Sequence, residues 1–360
     1  MFANYTTCLI RSARFSPAIR CGLLLAVCIS LHPLAASAND ISGAGSSGAK
    51  MLYAKWAEVY KIKLNYQASG SSDGIKQIKA KAVDFGATDV AMTADDLKKD
   101  GLILFPSAIS GVVPFVNLPK IREGDLKLTG EVLADIFAHK IKQWDDPAIA
   151  ALNPGLSLPK TAIITVARQD GSGTTYNFTD YLSSISPGWK AGFGKNFSIK
   201  WPSDTIAVKG SGDVVTAVKQ NPGAIGYVDH KYISQDKLTY VQLKNRDGKF
   251  VSPGPKGFES ALSNSPWRGN GSFEESLTNR AGQQTWPITA GTFILVPQTV
   301  KNPANTIAML KFFSWAFIKG DHLADSADFV ALPDSVQARV FKEMMKVRDD
   351  KGKPLEWSPL

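Results

Sequence analysis

The sequence predicts an α/β fold in which strands and helices alternate along the chain. Short β-rich segments, such as residues 83–89 and 224–228, lie next to segments whose apolar residues recur at helical spacing. Turns rich in serine and glycine stand at several of the junctions between them. The chain has 360 residues, 44% of them hydrophobic, which is enough for two lobes with separate cores.

The first half of the chain begins with two Ser/Gly turns, each placed before a helix. Residues 43–48 precede a helix that carries Leu52, Trp56, Val59 and Tyr60. Residues 69–74 follow a strand end and precede a second helix, whose inner face we expect to hold Ile75, Ile78 and Ala82. Further strands are expected at 83–89 and 109–116, and Thr129 is expected to cap the next helix.

A third turn, residues 168–175, follows a strand at 162–166 and leads into a helix. Ser211 is expected to cap a later helix, with strands at 224–228 and 292–296 after it. If the chain leaves one lobe near Gly111 and returns near Thr292, two crossing strands join the lobes. We therefore expect residues 39–111 with 292–360 in one lobe and 112–291 in the other.

Residues 1–38 have the pattern of a signal peptide. Three arginines precede an apolar run at 23–34, and Ala36-Ser37-Ala38 supplies small residues for cleavage. All three cysteines lie in this segment, so the mature chain is expected to have no disulfide and no cysteine ligand. Cys28 follows a valine where a lipid-attachment motif needs a small residue, so lipid anchoring is not expected.

Charge and histidine spacing argue against several functions. The chain has 41 basic and 32 acidic residues, but its lysines are spread out, so nucleic acid binding is not expected. His139, His230 and His322 lie far apart in the sequence, which predicts no metal site. Residues 43–48 match a dinucleotide-binding glycine pattern, but no acidic residue follows at the required distance. We expect no cofactor.

The three turns together indicate a site for a tetrahedral anion. Helix N-termini offer unpaired N–H groups and the positive end of the helix dipole. Arg168 adds a charged fork, and a tetrahedral anion needs more donors than one turn provides. A serine hydrolase that uses Ser47 or Ser172 remains an alternative, since Ser47-x-x-Lys50 occurs in exported penicillin-recognising enzymes, although their companion motifs are absent here.

The mature chain also resembles the periplasmic phosphate-binding proteins of phosphate-specific ABC transporters. The matching stretches run from the first strand almost to the C-terminus: 53–57, 83–89, 130–146, 152–156, 170–174, 222–228, 286–289 and 332–336. The resemblance implies a two-lobed periplasmic binding protein fold of type II, with a mixed sheet flanked by helices in each lobe. It implies a monomeric, periplasmic, non-enzymatic receptor that delivers inorganic phosphate to membrane permease subunits.

Position by position, the resemblance also implies a set of phosphate-binding residues. One lobe offers Ser47, Gly48, Ser71 and Asp89, and the other offers Arg168, Asp170, Ser172, Gly173 and Thr174. The first turn departs from the family, which has threonine, phenylalanine and proline at positions 47–49. Asp89 suits an anion that carries a proton, so phosphate is expected to be preferred over sulfate. Another tetrahedral oxyanion or a phosphate ester is the alternative ligand.

Overall fold

The structure is a computed structural model that describes residues 40–269 and 273–358. The predicted signal peptide and Cys28 lie outside the described residues. No helix within the described part of the chain is long and apolar enough to cross a membrane.

The strands have the following bounds in chain order: β1 (Ile41–Gly45), β2 (Leu64–Gln67), β3 (Phe85–Thr88), β4 (Leu102–Val116), β5 (Lys127–Leu128), β6 (Ile164–Arg168), β7 (Ile206–Val208), β8 (Ala224–Asp229), β9 (Thr239–Tyr240), β10 (Gln242–Lys244), β11 (Phe250–Val251), β12 (Thr289–Pro297), β13 (Thr299–Val300) and β14 (Arg348–Asp349).

The α-helices have these bounds: α1 (Lys50–Tyr60), α2 (Ser71–Lys79), α3 (Ala94–Asp100), α4 (Gly130–Phe137), α5 (Pro147–Ala150), α6 (Gly173–Ile185), α7 (Pro187–Gly192), α8 (Gly210–Gln220), α9 (His230–Asp236), α10 (Pro255–Ser263), α11 (Pro303–Lys319), α12 (Asp321–Ser326) and α13 (Asp334–Met344).

The main sheet is mixed, and its strand order is β2-β1-β3-β12-β4-β8-β6-β7, with β9 also paired to β4. Strand β1 runs parallel to β2 and β3, and β6 runs parallel to β7 and β8. Strand β12 is antiparallel to β3 and β4, and β4 is antiparallel to β8. This arrangement confirms the predicted α/β class with mixed sheets flanked by helices.

Strand β4 runs through both halves of the sheet, and all its fifteen residues are buried. Residues 102–111 pair with β12, and residues 112–116 pair with β8. Strands β1, β2 and β3 therefore lie on one side of the β4–β12 pair, and β6, β7 and β8 lie on the other. Strand β4 thus runs from one half of the sheet to the other, and β12 returns the chain to the first half, an arrangement consistent with the two-lobed prediction. The exact lobe boundaries near Gly111 and Thr292 stay a prediction.

The pairing of β4 with β12 contains one irregularity, at Ser107. Phe293 pairs with Pro106 and Thr292 pairs with Ala108, so Ser107 is left over as a bulge. Pro106 has no N–H to donate to the ladder, which favours an irregularity at this point. Ser107 instead bonds through its hydroxyl to the Thr292 carbonyl oxygen at 3.1 Å and to the Tyr53 hydroxyl at 2.7 Å.

Each half of the sheet has an aromatic core. In the first half, Tyr53 and Phe85 pack edge-on against Phe313 of α11, with ring centroids 5.7 and 5.2 Å apart. In the second half, Phe178 stacks on Tyr227 at 4.1 Å. The expectation that Ala82 faces the core is wrong, because α2 ends at Lys79 and Ala82 is exposed.

Candidate anion-binding site

The three Ser/Gly turns meet at the carboxyl ends of β1, β3 and β6. The turn after β1 leads to α1, and Ser71 begins α2 beside it, where Gly70 N–H donates to the Gly45 carbonyl at 2.8 Å. The third turn reaches across to them, because Ser72 N–H donates to the Gly171 carbonyl at 3.0 Å. Ligands of open α/β sheets bind at the carboxyl ends of strands, so this is the expected place for a site.

Arg168, the last residue of β6, has a buried guanidinium that contacts residues of the first and third turns. Its side chain is 1% exposed. Its Nε donates to Asp170 Oδ1 at 2.6 Å, and its Nη2 donates to Asp170 Oδ2. Its Nη1 donates to the hydroxyls of Ser47 and Ser211, at 3.3 and 3.1 Å. Asp170 therefore fixes one edge of the guanidinium, and the other edge faces the turns.

The pairing also fixes the charges of both partners. Burial alone would lower the pKa of Arg168, but its hydrogen bonds to Asp170 and the Asp170 charge raise the pKa above its usual value. Burial opposes ionisation of Asp170, yet Arg168 and the Gly210 N–H hold the pKa of Asp170 below its usual value. The site thus contains a permanent guanidinium whose charge is largely balanced before a ligand arrives.

The N-terminus of α6 supplies backbone donors next to Arg168. Ser172 is its N-cap, and the Ser172 hydroxyl accepts the Thr175 N–H at 3.1 Å. A hydroxyl that accepts at a cap can still donate its own hydrogen to a ligand. The Ser172 N–H is already used, because it donates to the Phe197 carbonyl at 2.9 Å. Gly173 and Thr174 follow in the first turn of the helix.

Asp89 stands directly after β3 and is 6% exposed. Its carboxylate accepts three hydroxyl hydrogens: from Ser46 at 2.8 Å, from Ser71 at 3.2 Å and from Thr292 at 2.7 Å. Burial raises the pKa of Asp89, although the three hydroxyls and the Arg168 charge act in the opposite direction. The hydroxyl groups therefore hold a carboxylate whose charge is poorly solvated.

Two glycines let the turns approach closely. A Cβ at Gly173 would lie 2.3 Å from Ser71 Oγ and 2.7 Å from Asp89 Cβ. A Cβ at Gly48 would lie 2.3 Å from Asp229 Oδ1. The close approach requires glycine at both positions, since a side chain would push the facing carboxylates away.

The structure brings all nine predicted site residues into this region: Ser47, Gly48, Ser71, Asp89, Arg168, Asp170, Ser172, Gly173 and Thr174. Within the part of the chain that the structure describes, no group of three His, Cys, Asp or Glu residues is placed to hold a metal ion.

The chain matches the model of the PBP superfamily domain over residues 32–319. A phosphate-binding protein PstS from Pasteurella multocida is 44% identical over 338 residues, which cover 92% of this chain and 98% of that protein. A PstS protein from Haemophilus influenzae is 45% identical over 309 residues, covering 85% of this chain and 92% of that protein. The chain belongs to the PstS family.

Solved structures agree with this PstS chain in fold. A phosphate-binding protein from Stenotrophomonas maltophilia has a TM-score of 0.67 at 19% identity, and the match covers 84% of this chain and 93% of that protein. A periplasmic phosphate-binding protein named PfluDING, solved with phosphate, has a TM-score of 0.66 at 20% identity with the same coverage. At such identities the likeness concerns the fold alone.

The sequence predictions missed four side chains of this PstS site: Ser46, Ser211, Asp229 and Thr292. Ser211 was expected to cap α8, but the capping position is Lys209, and the Ser211 hydroxyl lies 2.9 Å from that of Ser47. Thr292 reaches Asp89 because β12 pairs with β3 in a register that sets Phe293 opposite Thr88, so Thr292 falls opposite Asp89. Two of them had a readable signal. Ser46 lies in the first Ser/Gly turn, and Asp229 stands at the carboxyl end of a buried strand, as Asp89 does.

Asp229 ends β8 and is 8% exposed. Its Oδ2 accepts the hydroxyls of Thr174 and Ser211, both at 3.3 Å. Burial, assisted by the negative charge of Asp89, raises the pKa of Asp229 to about 7. The site therefore contains a second carboxylate that changes charge near neutral pH.

Proposed function

We propose that this protein binds inorganic phosphate between the three turns and delivers it to the membrane permease of an ABC importer. The buried Arg168 fork next to the N-terminus of α6 is the observation that carries the proposal. It supplies charge-assisted donors, and Ser47, Ser71, Ser172 and Thr174 add hydroxyls around the same space. The names and coverage of the PstS relatives support the same ligand.

Asp89 is the residue that selects the anion. Phosphate keeps a P–OH group at neutral pH, and a carboxylate can accept that hydrogen. Sulfate has no such hydrogen, so it would place a bare oxygen against a buried carboxylate. Because an unpaired buried charge is costly, this arrangement favours phosphate over sulfate. Arsenate carries the same proton as phosphate, so the site should discriminate against arsenate much less.

The two halves of the sheet act as lobes that close on the ligand by a hinge. Residues 39–111 with 292–360 form the first lobe, and residues 112–291 form the second. Contacts between Ser72 and Gly171 and between Asn177 and Asp89 cross from one lobe to the other. We assign the mature chain to the periplasm as a monomer, after removal of the signal peptide at residues 1–38.

The geometry gives little support to a serine hydrolase. The Ser172 hydroxyl caps α6, and the Ser47 hydroxyl contacts Ser211 and Arg168. A nucleophilic serine needs a base within hydrogen-bond reach. Within the described residues, His139 bonds Thr165 instead, and His230 packs against the Phe258 ring.

The proposal is tested by calorimetric titration with phosphate, sulfate and arsenate, together with esterase and phosphatase assays. We expect tight phosphate binding, weaker arsenate binding, very weak sulfate binding and no turnover. Turnover that disappears in Ser172→Ala would instead establish the hydrolase, and a preference for sulfate would establish a different oxyanion receptor.

Replacing Gly173 with alanine should obstruct closure. The added methyl group would meet Ser71 and Asp89, so we expect phosphate affinity to fall by about tenfold to a hundredfold. Calorimetric titration measures the loss. Gly212→Ala is the matched control, because a Cβ at this α8 glycine has open space, and its affinity should equal that of the wild type. Equal affinities for all three proteins would contradict the assigned closure contact.

A further inference from the structure

We propose that Asp229 is a second specificity-determining carboxylate. Because of Asp229, the complex with phosphate holds one proton more than the phosphate dianion carries, either on the ligand or on Asp229 itself. The inference rests on the anion site proposed above. It concerns which protonation state of the ligand the site accepts, a property that Asp89 alone does not set.

The placement of the two carboxylates is the first argument. Asp89 follows β3 and Asp229 ends β8, so they approach from opposite halves of the sheet. Two consecutive residues of α6 separate them. A Cβ on Gly173 would lie 2.8 Å from Asp89 Oδ2, and the Thr174 hydroxyl lies 3.3 Å from Asp229 Oδ2. An anion bound at this helix N-terminus therefore has a carboxylate on each side.

The groups facing Asp229 come from five elements. Arg168 of β6 is the cation, Asp89 adds a negative charge from the end of β3, and Tyr232 of α9 lies close enough to feel the Asp229 charge. Ser211 of α8 and Thr174 of α6 contribute hydroxyls. Tyr227 and Asp170 lie near Arg168 and both raise its pKa.

The charge balance is the second argument. Arg168 already forms a bidentate pair with Asp170, so little of its charge remains to offset Asp89 and Asp229. A phosphate dianion has one hydrogen, which can satisfy one carboxylate. The second carboxylate would then face a bare phosphate oxygen, as Asp89 would face sulfate. One added proton removes this repulsion, whether it sits on the ligand or on Asp229.

The expected pH dependence follows from proton linkage. Near neutral pH, where burial keeps Asp229 partly protonated, its carboxyl group can donate to a phosphate oxygen. As pH rises, both the free ligand and free Asp229 lose protons, and binding must take one up. Phosphate affinity should then fall by about tenfold per pH unit between about pH 7.5 and about pH 9.

The test is calorimetric titration with inorganic phosphate across this pH range. Asp229→Asn keeps the size of the side chain and donates a hydrogen at every pH, so its affinity should stay flat. At about pH 9 it should bind phosphate about tenfold or more tighter than the wild type. Asp204→Asn, which removes an exposed acidic charge from the same half of the sheet, should follow the wild type. Parallel pH profiles for wild type and Asp229→Asn would overturn the inference.

A second measurement needs only the wild-type protein, and it decides the matter if Asp229→Asn does not fold. Titrations at about pH 8.5 in buffers of different ionisation enthalpy give the number of protons taken up, which should be about one per phosphate. Uptake of none would overturn the inference while leaving phosphate binding intact. A wild type that binds no phosphate at about pH 7.5 would overturn the proposed function itself.

Discussion

Replacement of Asp89 by asparagine is expected to narrow the preference for phosphate over sulfate by at least about a hundredfold. The 6% exposed carboxylate of Asp89 excludes an anion that has no hydrogen to donate. An asparagine amide can donate to a sulfate oxygen, so the repulsion between position 89 and sulfate disappears. Sites built to bond a substrate hydroxyl reject analogues without that hydroxyl by about 10⁴-fold. A substitution that removes the carboxylate can therefore abolish a large part of the discrimination against sulfate.

The measurement is a pair of calorimetric titrations, one with each anion. Thr292→Val is the matched control, because it removes the 2.7 Å hydroxyl bond to Asp89 but keeps the carboxylate. Its affinity for phosphate is expected to fall while the preference for phosphate over sulfate remains. An unchanged ratio in Asp89→Asn would remove the role assigned to this residue.

Replacement of Arg168 by methionine is expected to reduce phosphate affinity by about 10³-fold. The substitution removes the buried cation and leaves Asp170 facing the anion without its partner. Truncating one partner of a buried, hydrogen-bonded charge pair between protein and ligand typically costs about 2–5 kcal/mol of binding free energy, a range that includes a 10³-fold change in affinity. While it is ionised, Asp170 would then repel the ligand, because no cation balances its charge.

Calorimetric titration of Arg168→Met, Asp170→Asn and the double variant separates these effects. Asp170→Asn keeps the cation and one hydrogen-bond acceptor, so its loss should be smaller. The double variant should bind more tightly than Arg168→Met alone, since it lacks the uncompensated carboxylate. Thermal unfolding of the ligand-free proteins shows whether each variant folds. A double variant that binds no better than Arg168→Met would contradict the assigned role of Asp170.

Local sequence signals were sufficient to predict the third turn. A strand, an arginine, Ser172 as an N-cap and a helical pattern lie within a few residues of one another, so residue order alone indicates the anion cradle. The first two turns were predicted from serine and glycine residues that stand directly before helical patterns. The α/β class followed from alternation of element types, which needs no knowledge of which strands pair.

Residues whose position depends on strand register could not be predicted in this way. Thr292 reaches Asp89 because β12 pairs with β3 in a register that sets Phe293 opposite Thr88, and the sequence near Thr292 contains no sign of this register. Ser211 has the residue type of a helix cap, but the N-cap of α8 is Lys209, two residues earlier, so Ser211 lies inside the first turn and its hydroxyl contacts Arg168. Tertiary packing decided the roles of both residues.

The most direct test of the account is a crystal structure of the mature chain with phosphate. The account predicts an anion at the N-terminus of α6, bonded to Arg168, Ser47 and Ser71, with one phosphate oxygen within hydrogen-bond distance of the Asp89 carboxylate. Crystals grown with sulfate in place of phosphate should show this position without sulfate. Phosphate bound elsewhere, or sulfate bound against Asp89 in the same way, would contradict it.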